Sequence, residues 1–197
     1  MEQSQILVMY SGGLDSLGTV YKLLNDTEYK NYIIHIHHVH QRNVENRDRA
    51  EAIAVELVVN ELERMGYKFI YSESQIASQP YNGNYMYDTD SINFFAGYIC
   101  SVNPSIKYVA MGMNANDENH SLNERRVRAD TILAAFTPVK KIYPVLNMSK
   151  REIYDMLPAN LRNMFWSCRT PVYTDTKVNP CGRCKTCVQL REAGIRG

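Results

Sequence analysis

The stretch that most constrains this chain is Ile6–Val20, read as Ile-Leu-Val-Met-Tyr-Ser-Gly-Gly-Leu-Asp-Ser-Leu-Gly-Thr-Val. Ile6–Tyr10 is a short apolar run of the kind that forms a fully buried strand. It breaks at Ser11-Gly12-Gly13, and apolar residues at helical spacing (Leu14, Leu17, Val20, Tyr21, Leu24) follow at once. Strand, glycine turn and helix start in immediate succession make an anion site. The glycines let backbone N–H groups approach a phosphate, and the helix N-terminus adds the positive end of its dipole. Ser11 and Ser16 offer hydroxyl donors, and Asp15 offers a carboxylate for a magnesium ion on the phosphates. No lysine follows the glycines, so this is not the Gly-x-x-x-x-Gly-Lys-Ser/Thr loop of ordinary nucleotide triphosphatases.

A chain of 197 residues suits one full core with a small appendage. Its formal net charge of +1 gives no electrostatic reason to expect nucleic acid or a membrane surface as partner. No apolar stretch approaches the length of a membrane span, and the N-terminus lacks a signal-peptide pattern, so the expectation is a cytoplasmic enzyme.

Downstream of the loop, Tyr32–Val39 reads as the second strand, with His35 and His37 on one face and Ile34 and Ile36 on the other. No neighbouring acid or cysteine completes a ligand set. The histidines therefore read as a polar face of substrate-facing or solvated imidazoles rather than a metal site. A long helix is expected over Arg47–Met65, ended by Gly66. Tyr67–Tyr71 reads as a third strand, and the aromatic stretch Ser72–Asp88 as a long loop, a lid or a dimer contact. Asp90–Ser101 reads as a helix closed off by Pro104, and Lys107–Met111 as a buried strand ending at Gly112. Arg125–Phe136 is a basic amphipathic helix whose arginines suit a solvated face. Ile142–Val145 is expected to be a fifth strand, and Ser149-Lys150-Arg151-Glu152 a capping box that opens a helix ending near Pro158. Alternating strands and helices predict a Rossmann-like α/β fold, a parallel sheet flanked by helices over residues 1–160. Ligands in such sheets bind at the C-terminal strand ends. One crevice is therefore expected to gather Ser11–Ser16, His38–Arg42, Gly112–Asp117 and the Tyr81 loop.

Four of the five cysteines crowd into the last thirty residues as Cys168-x12-Cys181-x2-Cys184-x2-Cys187. In a cytoplasmic chain this pattern reads as metal rather than disulfides. Four thiolates fit one tetrahedral Zn2+ with no open position, a structural ion held by a small segment over 161–197. An iron–sulfur cluster is the alternative. Cys100, in an apolar helix, reads as core.

Ser11-Gly12-Gly13-Leu14-Asp15-Ser16 resembles the Ser-Gly-Gly-x-Asp-Ser loop of the PP-loop ATP pyrophosphatases. The resemblance implies that these six residues bind ATP and that the enzyme activates an acceptor as its adenylate. With the four C-terminal cysteines, the chain further resembles the 7-cyano-7-deazaguanine synthases of queuosine biosynthesis. Gln41-Arg42 matches that family's Gln-Arg after the second strand, and Gly112 and Asp117 its Gly-x-x-x-x-Asp after the fourth. Pro144 and Lys150 fall in its Pro…Lys segment, and Cys168, Cys181, Cys184 and Cys187 match its zinc site.

The resemblance implies a ligase that adenylates 7-carboxy-7-deazaguanine and uses ammonia to form the amide and then the nitrile. Gln41, Arg42, Gly112 and Asp117 are implied substrate contacts. Asp15 with Mg2+ would neutralise the pyrophosphate, and Arg42 or Lys150 would stabilise charge on the carboxylate or phosphate. A homodimer is implied as well. The chain departs from the family at Asp90-Ser91-Ile92-Asn93, which replaces Pro-Gly-Arg-Asn, and at Ser121-Leu122-Asn123-Glu124-Arg125, which replaces Tyr-Pro-Asp-Cys-Arg. Another acceptor, an amide-only product or tRNA base thiolation therefore stays open.

Overall fold

The computed structural model describes residues 3–84, 86–115, 117 and 124–195. In chain order the elements are β1 (Gln5–Met9), α1 (Leu14–Asn25), β2 (Ile33–Arg42), α2 (Asp48–Arg64), β3 (Ile70–Ala77), α3 (Asp88–Val102) and β4 (Ile106–Met111). There follow α4 (Glu124–Ala134), β5 (Lys140–Ile142), α5 (Lys150–Met156), β6 (Val172–Tyr173), β7 (Val178–Asn179) and α6 (Lys185–Glu192). The first five strands form one parallel sheet in the order β3-β2-β1-β4-β5, and β6 and β7 pair as a separate antiparallel ribbon. β1 is buried along its whole length, which explains its unbroken apolar sequence.

Alternation along the strands divides the core in two. Ile6 and Val8 of β1, with Ile34 and Ile36 of β2, pack against α1, α2 and α5. Leu7, Met9 and Val39 pack on the opposite face with α3 residues Ala96 and Cys100. The first cluster also takes in Leu161, Phe165, Leu190 and Ile195, so the C-terminal stretch shares apolar contacts with the sheet. Ser149 and Glu152 form the expected capping box at the start of α5. Among the described residues no helix is long and apolar enough to cross a membrane.

Three local expectations change. The third strand is Ile70–Ala77, not Tyr67–Tyr71, so the first part of the expected loop is in fact strand. Its polar run Ser72-Glu73-Ser74-Gln75 lies at the sheet edge, paired with β2 on one side only. The fifth strand is Lys140–Ile142, earlier than expected, because Pro144 has no N–H to donate to the ladder. The histidines are not solvated: His35, His37 and His38 are buried on β2, and only His40 is partly exposed. His35 Nε2 and His37 Nδ1 share the Ser72 hydroxyl at 2.6 and 2.7 Å. His38 Nδ1 meets the Tyr10 carbonyl at 2.8 Å, and burial lowers the pKa of both His37 and His38 to about 4. These rings are neutral polar groups, and His37 also lines a cavity at the strand ends.

Helix α1 crosses α5 at Gly18, where a Cβ would lie 2.4 Å from the Ile153 Cγ2. Ile153 is fully buried and stiff at its branch point, so it has little room to yield. Gly18→Ala is expected to destabilise the protein by about 1–3 kcal/mol in chemical denaturation, the usual cost of overpacking. Pairing it with Ile153→Ala should recover part of that loss.

Candidate active site

The order β3-β2-β1-β4-β5 reverses direction between β1 and β4, and crevices for ligands open at such switch points. The Ser11–Ser16 turn leaves β1 there. Gly12 sits at φ +80° and its carbonyl accepts the Trp166 N–H at 2.8 Å. A side chain at Gly12 would also press on the Glu51 carbonyl and Val55 at 3.2 Å. Ser11 and Ser16 bond each other through their hydroxyls at 3.0 Å, and Ser16 also donates to the Gly13 carbonyl. Gly13 is the N-cap of α1 and has no side chain with which to cap it. The Leu14 N–H instead meets Ser167 Oγ at 3.3 Å. The result is a cavity of about 170 Å3 at the start of α1, lined by the loop and also by Gly112, Trp166, Ser167, Arg169 and Thr186.

Asp15 faces this cavity, and Lys150 Nζ lies 2.8 Å from its carboxylate. Burial raises the Asp15 pKa, while Lys150 and the Asn114 amide pull it down and the Asp117 charge adds to the rise. Asp117 itself accepts the Asn114 N–H at 3.0 Å. Asp15 and Asp117 are carboxylates that could hold a magnesium ion taking its other ligands from water and phosphate. Gly112 lines this cavity, and it has a structural task besides: a Cβ there would lie 2.6 Å from the Ser16 amide nitrogen. Only glycine lets the end of β4 press against the first turn of α1.

Two further cavities adjoin the loop. One, of about 200 Å3, lies between β2 and the starts of α2 and α3, and includes Gln41, Arg47, Glu51, Asp88 and Arg169 in its wall. Gln41 is buried there and accepts the Ser91 hydroxyl at 3.0 Å. Arg47, also buried, lies 2.8 Å from Glu45 and 2.6 Å from Glu51, and it pairs with Asp88. Arg169 joins Glu45 at 2.8 Å and Asp88 at 3.1 Å. Burial pushes the Glu51 carboxyl up to about 7 despite the Arg47 beside it. The other cavity, of about 340 Å3, is walled by Met9, Ile92, Met111 and Tyr143, with Arg125 and Arg126 from α4. These arginines are not simply solvated: Arg125 lies 3.8 Å above the Tyr87 ring and Arg126 4.7 Å above that of Tyr143.

Arg42 does not join the crevice. Alternation turns it to the strand face opposite Gln41, where its side chain is 61% exposed and pairs with Asp48 at 3.6 Å. Of the stretches that differ from the deazaguanine family, Ile92 and Asn93 line these cavities and Ser91 bonds Gln41, while Ser121–Asn123 falls outside the described residues. The tip of the Tyr81 loop is a turn bridged between Tyr81 and Asn84, and the expected Tyr85 is likewise not described.

The sulfurs of Cys168, Cys181, Cys184 and Cys187 all lie within 4.8 Å of one another. Zinc–sulfur bonds of about 2.3 Å in a tetrahedron put sulfurs roughly 3.8 Å apart, so a small contraction would close them on one ion. The Cys181 N–H points at Cys168 Sγ (3.2 Å) and the Cys184 N–H at Cys181 Sγ (3.3 Å), while the Thr170 hydroxyl donates to Cys181 Sγ at 3.0 Å. The Thr170 hydroxyl, with backbone N–H donors, lowers the Cys181 pKa to about 6, whereas burial raises those of Cys168 and Cys187. Cys100 is buried in the core, as expected.

No family model and no curated protein matches the sequence. Among solved structures, the U34-tRNA thiolase NcsA from Methanococcus maripaludis, with its 4Fe–4S cluster, is similar with a TM-score of 0.54. The two chains are 17% identical over 99% of this one, which spans 66% of the thiolase's length. The likeness is one of fold. The chain has an α/β fold, a parallel five-stranded sheet flanked by helices like that of the thiolase, with a C-terminal four-cysteine group able to bind a metal.

Sequence reasoning missed Arg47, Glu51, Asp88, Ser167 and Arg169. The available signal was position: Arg47 and Glu51 open the helix after Gln41-Arg42, and Ser167 and Arg169 flank Cys168. Arg169 and Ser167 tie the cysteine group to the crevice, so loss of the metal should be felt there. Cys184→Ser is expected to reduce bound metal from one equivalent to near zero by elemental analysis. Its melting temperature should fall by about 5–15 °C, the scale for losing a few kcal/mol in a chain this long.

Proposed function

We propose that this protein is an ATP-dependent carbon–nitrogen ligase that adenylates 7-carboxy-7-deazaguanine and uses ammonia to make the amide and then 7-cyano-7-deazaguanine. The observation that carries the reading is the start of α1 at the sheet's switch point, where Gly13 offers no side-chain cap, flanked by Asp15 and Lys150 2.8 Å apart. ATP phosphates would lie along the amides of the Ser11–Ser16 turn, with Lys150 balancing their charge. A carboxylate oxygen of the acceptor attacks the α-phosphorus and pyrophosphate leaves. Ammonia then attacks the acyl carbon and AMP departs with that oxygen. In a second round the amide oxygen takes the adenylyl group, and loss of AMP and protons leaves the nitrile.

The chain's part is alignment and charge neutralisation, for a carboxylate is inert to ammonia whereas an acyl phosphate is not. Bound Mg2+, held by Asp15 and Asp117, would spread the negative charge of the departing pyrophosphate. Gln41 is well placed for a ligand contact; Gly112 acts by letting the loop close. Arg42 is left without a role. We assign Zn2+ to the cysteine group as a structural ion, with residues 161–197 as its segment on the 1–160 α/β unit, and infer a cytoplasmic homodimer.

Thiolation of a tRNA base is the second reading, favoured by the thiolase fold neighbour and the four-cysteine group. It requires iron and visible absorbance in the purified protein.

The test is a turnover assay with magnesium-ATP, an ammonium salt and 7-carboxy-7-deazaguanine, following AMP and the deazapurine by mass spectrometry. AMP with amide or nitrile is expected, and Asp15→Ala should lower turnover by roughly a hundredfold or more with the fold retained. An unchanged deazapurine beside wild-type protein that hydrolyses ATP only with another acceptor overturns the reading.

A further inference from the structure

Asn93 lies in α3 and is 4% exposed. Its Nδ2 donates to the Thr89 carbonyl one turn earlier, at 2.6 Å, which fixes the orientation of the amide. Oδ1 is then left buried, with no hydrogen-bond partner among the described residues. A helix has no use for such a group. Asparagine is a middling helix former, and a buried acceptor without a donor loses the water it had in the unfolded chain. Leucine or alanine would serve a purely structural position better.

Asn93 lines the 340 Å3 cavity between α3, α4 and the C-terminal ends of β1 and β4. The cavity reaches Ser11, Ser16 and Gly112, so a molecule inside it abuts the phosphate loop. Met9, Ile92 and Met111 give it apolar walls suited to a flat ring, and Arg125 and Arg126 give it positive charge suited to a carboxylate. The acceptor itself is covered, so a small turn of the Asn93 side chain would present it to a ligand that brings an N–H.

We propose that Asn93 reads the heterocycle of the acceptor, its Oδ1 taking a hydrogen bond from a ring N–H or exocyclic amino group of a planar heterocyclic carboxylate in this cavity. The proposal rests on the ligase reading for the identity of the acceptor. The buried amide then distinguishes donor-bearing rings from bare ones, because a site built to bond an N–H leaves its own polar group unpaired when the N–H is missing.

Calorimetric binding to the full chain tests this with two ligands: 7-carboxy-7-deazaguanine, and a pyrrolopyrimidine carboxylate that lacks the 2-amino group and the adjacent ring N–H. The wild type should prefer the first by about tenfold or more. Asn93→Leu should reduce that preference to under about threefold, with ATP affinity within about twofold and a melting temperature no lower than wild type. Asn93→Ala gives the same readout should the leucine variant misfold.

Discrimination that survives in these variants overturns the assignment, and AMP formation with the deazaguanine in the same samples would leave the ligase reading standing. Discrimination that depends on Asn93 without any AMP formation supports the site and sinks the reaction instead. A wild type that binds neither ligand removes both.

Discussion

The site depends on the contact between the end of β4 and the first turn of α1. With no side chain at Gly112, β4 can end so close to the Ser16 amide that a single Cβ would occupy the gap. That approach sets where α1 starts relative to the strand ends. It therefore sets where the loop amides, the Asp15 carboxylate and the Lys150 ammonium meet. Lys150 reaches the site from the first residue of α5, whose own start is fixed by the Ser149–Glu152 capping box. The charge pair thus joins two helices that also interlock at Gly18 and Ile153. Packing and electrostatics reinforce the same geometry.

The cysteine segment is the second support. Trp166 and Ser167 bond directly to the phosphate loop, and Arg169, next to Cys168, shares Glu45 and Asp88 with the buried Arg47. Two arginines against three carboxylates leave a buried network slightly over-supplied with negative charge, which agrees with the raised pKa of Glu51. Removing Arg47, its buried cation, would strand carboxylates away from water, at a cost of about 3–5 kcal/mol. A metal held by the four cysteines would therefore brace the wall of the crevice through Cys168, which stands between Ser167 and Arg169.

The fold was legible because β1 and α1 carry their patterns without interruption, and because glycine marks the turn where the two periods change. The cysteine group was legible from spacing alone. Edge strands were harder: β3 is half polar and β5 is built on lysines, so neither shows the apolar run of a central strand. Arg42 illustrates a different limit. It directly follows Gln41, yet strand alternation sends the two side chains to opposite faces, and only the structure shows which faces the crevice. Glu51 and Arg169 stand 118 positions apart in the sequence. Their meeting at one cavity arises from tertiary packing, which no local pattern encodes. Gly112 was picked out by motif, and the structure adds a physical reason that the motif does not give, the close approach of β4 to α1.

The most direct test of adenylation as the central step follows the oxygen atoms. With 7-carboxy-7-deazaguanine labelled with oxygen-18 in the carboxylate, activation through an acyl adenylate sends one labelled oxygen into AMP each time a carbon–oxygen bond is broken. AMP carrying label from the carboxylate is the predicted result. Unlabelled AMP, formed while the deazapurine gains nitrogen, would mean that the carboxylate is never bonded to the α-phosphorus and would contradict the account.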